Sequence, residues 1–173
     1  MRRFFTLGLV QGFLLAAIVV ACTRPAMAQT PAASKADVFG GVSFVRRTST
    51  FSGWNASVTG NMRPWLGVTA DFSGPYNSGV RLQTYTFGPR LAFAQDSTLV
   101  PFTQATFGVA RFSAAGVPSA SGFGAYIGGG MDWYATEHIG IRLIQLDAQL
   151  TRISGSNSSG TRISFGVVFK LGS

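Results

Sequence analysis

The sequence predicts an all-β protein, an eight-stranded antiparallel up-and-down transmembrane β-barrel that follows a cleaved N-terminal signal peptide. Three observations carry that expectation. Beyond residue 35, apolar and polar residues alternate with period two over most of the chain, as strands with one apolar face do. Turn signals divide the pattern into eight segments, and an even number returns both barrel ends to one side. Charged residues make up only 12% of the chain and Glu occurs once, too few to solvate the exterior of a soluble domain.

The N-terminus comes first. Arg2-Arg3 precedes an apolar run, Phe4 to Ala21, broken only by Thr6 and Gln11, and this is the pattern of a secretory signal peptide. Ala26-Met27-Ala28 is a small-x-small cleavage motif, so the cut is expected between Ala28 and Gln29. The chain then divides into a signal peptide (1–28), a short spacer (29–35) and a barrel domain (36–173). An alternative is lipidation, because Val19-Val20-Ala21-Cys22 has the form of a lipobox and Cys22 is the only cysteine. Cleavage at Ala28 removes Arg2, Arg3 and Arg24, so the basic count falls from 14 to 11 against 6 acids and the net charge from +8 to +5. It also leaves no cysteine, which excludes a disulfide framework and thiol chemistry.

The expected strands follow in order as Ala36–Val45, Ser52–Met62, Trp65–Ser73, Val80–Ala94, Leu99–Phe112, Phe123–Ala135, Ile139–Ile153 and Thr161–Leu171. The second is the cleanest: Trp54, Ala56, Val58, Gly60 and Met62 alternate with Asn55, Ser57, Thr59 and Asn61. Arg63-Pro64 marks a turn, after which Leu66, Val68, Ala70 and Phe72 oppose Gly67, Thr69, Asp71 and Ser73. The fourth segment is expected to change parity between Leu82 and Tyr85. In the seventh, Ile139, Ile141 and Leu143 share one parity while Ile144, Leu146, Ala148 and Leu150 share the other, which predicts a β-bulge near Leu143. The connectors Asn61–Pro64, Ala94–Thr98 and Ala135–His138 read as tight turns, and Gly74–Gly79, Ser113–Ser121 and Ser154–Gly160 as longer outer loops, with Arg46–Thr50 short.

The charges decide which face meets solvent. Asp71, Arg90, Asp132, Arg142, Asp147, Arg162 and Lys170 lie opposite the apolar rows, and charges of both signs on one face suit the packed lumen of a narrow barrel. A lumen ion-pair network of Asp71, Arg90, Asp132, Arg142, Asp147 and Arg162 is therefore expected. The alternative is an exported soluble barrel, lipocalin-like, that holds an apolar ligand with its apolar faces inward. An eight-stranded interior is only wide enough for side chains, so a permanent wide pore is not expected.

No catalytic, cofactor or metal site is expected. The single histidine, His138, neighbours Glu137 in a turn, and no serine is placed beside it. Carboxylates are scattered over different segments, and Gly128-Gly129-Gly130 precedes no helix that could face a phosphate, so its role is to bend a strand or admit bulky lumen neighbours. Five arginines, Arg46, Arg47, Arg81, Arg111 and Arg152, fall near the outer strand ends. Either they form an outer rim that contacts lipid phosphates, lipopolysaccharide in particular, or they snorkel as long side chains do at any interface. Aromatic girdles are expected from Trp65, Phe93, Phe102, Trp133 and Tyr134 at one interface and Trp54, Tyr76 and Phe112 at the other.

Val38-Phe39-Gly40-Gly41, Phe87-Gly88-Pro89-Arg90, Pro101-Phe102, the triple glycine and the alternating final strand resemble the small outer-membrane β-barrel family that includes OmpA- and OmpX-like eight-stranded domains. The resemblance covers nearly all of residues 36–173. It implies residence in the outer membrane of a Gram-negative-type cell and contact with its lipid. It also implies insertion by the barrel-assembly machinery through a final strand bearing Phe165, Val167, Phe169 and Leu171, although the sequence ends Gly172-Ser173 rather than on an aromatic residue. A monomer with an envelope-integrity or surface-interaction role is expected, and an exported chain is a poor partner for nucleic acid.

Overall fold

The computed structural model describes residues 34–172 apart from Thr48, Ser78, Gln95, Asp96 and Ser154. Cys22, Ala28 and Gln29, on which the lipidation and cleavage expectations rest, lie outside the described residues. Eight strands follow one another: β1 (Ala36–Arg46), β2 (Thr50–Arg63), β3 (Leu66–Asn77), β4 (Val80–Ala92), β5 (Leu99–Ala114), β6 (Val117–Tyr134), β7 (Ile139–Ile153) and β8 (Ser156–Leu171). Each is antiparallel to its sequence neighbours, and β1 closes the barrel on β8 with Ala36 opposite Leu171 and Arg46 opposite Thr161. Closure pairs the backbone polar groups within the wall, which is the condition for a sheet to cross hydrocarbon. Lys35, placed by the sequence in the spacer, is already tied to the wall: its N–H donates to the Gly172 carbonyl and its own carbonyl accepts from Asn61.

The alternation sorts the side chains as a membrane requires. Trp54, Val58, Phe87, Phe107, Phe123, Ile127 and Leu150 are each about half exposed on the outer surface, between 46% and 62%. Asp71, Arg90, Asp132, Arg142, Asp147 and Arg162 point inward and are at most 4% exposed. A lipocalin-like barrel needs the reverse arrangement, so the soluble alternative is set aside.

The bulge lies where the pattern predicts it, with Leu143 and Ile144 both facing outward between the inward Arg142 and Gln145. The parity change expected in β4 is absent: Leu82, Thr84, Thr86 and Arg90 all face inward, and Leu82 is 3% exposed. Leu82 is an apolar residue of the lumen, and its parity is that of the inward row rather than of the lipid face. The outer connectors also differ from expectation, since β3 runs on to Asn77, β6 begins at Val117 and β8 at Ser156. Most of the three stretches read as loops is therefore strand. Only two residues separate each of these pairs, and Gly79, Gly116 and Gly155 adopt φ of 85°, 74° and 81°, the left-handed region that tight hairpins use. The longer connectors, 93–98 and 135–138, lie instead at the end that carries Lys35 and Gly172.

Candidate functional site

The described interior has two features that the outer wall cannot supply, a neutralised charge network and apolar closure. Three arginines meet three aspartates there. Alternation on β4, β6 and β7 aims Arg90, Asp132 and Arg142 at one another: Arg90 donates to Asp132 at 2.7 Å, and Arg142 donates to both Asp132 oxygens at 2.8 and 3.1 Å. Strands β3, β7 and β8 bring the second group together, with Arg162 donating to Asp71 at 2.6 and 3.1 Å and to Asp147 at 2.8 and 3.0 Å. Gln145 joins the two groups, accepting from Arg142 at 2.6 Å and donating to Asp147 at 2.7 Å. Asn55 extends the chain by donating to Asp71 at 3.2 Å. The first group holds one positive charge in excess and the second one negative, so each offsets the other across Gln145.

Aromatic rings insulate these charges. The Arg90 guanidinium lies 3.9 Å from the Phe102 centroid, and Arg142 is 4.1 Å from Phe39 and 4.5 Å from Phe102. Arg162 stacks on Tyr126 at 4.1 Å, and the Tyr126 hydroxyl accepts from Gln149. Below, toward the end that carries Lys35 and Gly172, Phe39, Val100, Tyr134 and Val168 form an apolar layer with Ala92 packed against it. Phe102 and Tyr134, expected in a lipid-facing girdle, thus belong to the lumen, and Phe112 shares the inward parity of Ala110. The triple glycine admits these side chains: a Cβ on Gly130 would stand 2.8 Å from the Phe102 ring, and one on Gly128 2.6 Å from the Asp147 carboxylate. Parity alone could have placed Phe102, since it lies on the same face of β5 as Gln104 and Thr106.

The five rim arginines separate into two kinds. Arg46, Arg81, Arg111 and Arg152 are exposed on the outward face, one on each outer hairpin, and none forms an ion pair among the described residues. Arg111 donates to Ser119 of its own hairpin at 3.1 Å, and Arg81 lies 5.9 Å from the Tyr76 ring. Arg47 departs from the expected rim. It turns into the lumen mouth and donates to Gln149 at 3.3 Å, Thr151 at 3.1 Å and Ser158 at 3.0 Å. Loss of hydration there lowers its pKa from the ordinary guanidinium value. Arg47 is the first residue of the connector after β1, where strand alternation no longer sets direction, and its three bonds to β7 and β8 hold it inward.

His138 sits in the turn between β6 and β7, where its carbonyl accepts the Lys170 N–H. Among the described residues no His, Cys, Asp or Glu side chains gather into a metal-holding group.

An apolar exterior, a neutral ionic lumen and a closed antiparallel wall define a transmembrane β-barrel of the outer-membrane type. Its fold is that of solved small outer-membrane barrels. Neisserial surface protein A matches with a TM-score of 0.70 at 15% identity, over 82% of this chain and 100% of that one. The N-terminal β-barrel domain of Pseudomonas aeruginosa OprF matches with a TM-score of 0.55 at 12% identity, over 79% of this chain and 97% of that one. No protein-family model and no curated protein matches the sequence.

Proposed function

We propose that the chain is a monomeric, non-catalytic outer-membrane barrel whose sealed lumen makes it a structural element of the envelope, with a hairpin rim that contacts outer-leaflet lipid, including lipopolysaccharide. One observation carries this reading: the outward rows are apolar through their middle, and those of β1, β4, β5 and β7 end, at the hairpin side, in an arginine that no carboxylate neutralises among the described residues. Guanidinium groups bind phosphate oxygens in pairs, and the outer leaflet presents phosphates at that height. The filled interior argues against solute passage, because the Arg90, Arg142 and Arg162 side chains occupy its axis and are bonded on several sides. The test is the heat-modifiable gel migration of protein taken from the membrane fraction. A slower band after heating supports an integral barrel, and recovery in the soluble periplasmic fraction overturns it.

A further inference from the structure

Four outward arginines stand on the rim, but the wall around them is not uniform. Beside it the described residues line a groove of about 430 Å³ and another of about 270 Å³ on the outer surface. The larger crosses β7: Arg152 lies in register with Phe123 on one side and Asn157 on the other, and Leu150 faces Ser159. Its floor is apolar, with Phe123 53% and Leu150 57% exposed. The smaller crosses β3, where Tyr76 pairs with Arg81 and Trp54 pairs with Gly74, and Gln83 completes the lining. Here the glycine is required, because a Cβ on Gly74 would lie 2.6 Å from the Trp54 indole nitrogen, so only glycine lets the indole lie flat across β3.

We propose that these grooves are two discrete seats for phosphorylated lipids of the outer leaflet, each holding a phosphate on its arginine, with an acyl chain on the apolar floor of the larger and against the Trp54 and Tyr76 rings of the smaller. The inference rests on the lipid-contact reading above and narrows it from a diffuse rim to two places. Charge complementarity selects the occupant, since each groove offers a guanidinium without a carboxylate partner and neutral donors beside it: the Asn157 amide and Ser159 hydroxyl in one, the Gln83 amide and Trp54 indole N–H in the other. The apolar floor of the larger groove, and the exposed Trp54 and Tyr76 rings within the mixed lining of the smaller, fit hydrocarbon beside the cation. Arg46 and Arg111 line neither groove, and Arg111 is engaged with Ser119. Because β3 and β7 lie four strands apart in either direction around the closed wall, the seats face opposite sides of the barrel.

The test counts bound lipids by native mass spectrometry of the full-length barrel in zwitterionic micelles titrated with diphosphorylated lipid A. The unaltered protein should retain two, Arg81→Ala and Arg152→Ala one each, the double variant none, and Arg46→Ala/Arg111→Ala still two. Heat-modifiable migration verifies that each variant is folded. Equal loss in the Arg46→Ala/Arg111→Ala protein overturns the seats while leaving rim contact standing. Two lipids retained by the double variant, or equal retention of a dephosphorylated lipid, overturns the role of the arginines. No adduct on the unaltered protein removes both the seats and the lipid-contact reading.

Discussion

Replacing Arg162 with Met should destabilise the folded barrel severely, although the side chain touches neither lipid nor solvent. The guanidinium is 0% exposed and makes four hydrogen bonds at 2.6 to 3.1 Å to Asp71 and Asp147. Removing it strands two carboxylates in an interior sealed by Tyr126 above and by the Arg142 group below. Breaking a buried pair by deleting one partner costs roughly 3–5 kcal/mol. At roughly 1.4 kcal/mol per tenfold, the unfolding equilibrium constant should rise by about two to four powers of ten. The loss comes from stranded charge rather than from missing attraction, so the triple variant Arg162→Met/Asp71→Asn/Asp147→Asn should recover most of it. Urea titration of the protein in detergent micelles, read by the fraction migrating as the unheated form, measures both. An Arg162→Met midpoint equal to that of the unaltered protein would refute the account, and so would a triple variant no better than the single one.

Other consequences follow from the same interior. Phe102→Leu should destabilise by about 2 kcal/mol, read in the same titration, because it removes one ring from two desolvated guanidiniums. Gly128→Val should leave the unheated form unpopulated on refolding into micelles, since a side chain there runs into the Leu146 carbonyl and the strands cannot keep their spacing. Deleting Leu143 should be tolerated within about 1 kcal/mol, because the bulge carries one outward residue more than the ladder needs. Deleting Leu146 turns Gln145 or Asp147 toward lipid and should prevent folding, as refolding yield will show. Planar bilayers doped with purified protein should show at most small conductance, and porin-sized steps would contradict the filled lumen.

Side-chain alternation made most of the wall legible from the residues alone, for a physical reason: lipid outside and ion pairs inside impose opposite chemistry on successive positions. The bulge at Leu143 was readable because Asp147 could not face hydrocarbon at acceptable energy. Where neither face is demanding the signal fades. Ser156, Asn157, Ser158 and Ser159 are exposed on both parities, so nothing in their chemistry separates strand from loop, and the backbone pairing with β7 that makes them a strand leaves no mark on side-chain type. Leu82, Phe102 and Phe112 misled for the converse reason, since an apolar residue also fits a lumen that needs insulation around its charges. The partners within the network were not readable, because which arginine meets which aspartate depends on stagger around the closed wall. The bulge turns Gln145 and Gln149 into the lumen, as the sequence predicts, but their partners and the part of Tyr126 leave no mark in it: Gln145 joins the two ionic groups and Tyr126 shields one of them.

The contact between Arg162 and Asp71 spans 91 positions of the chain, from the eighth strand back to the third. Until the last hairpin arrives, that aspartate has no countercharge, and a half-built sheet must keep its concave side wet. Closure of β8 on β1 and neutralisation of Asp71 by Arg162 are expected to come together. Such a polymer should resist intermediate lengths, so truncations that stop short of residue 162 should leave nothing resembling a smaller cylinder.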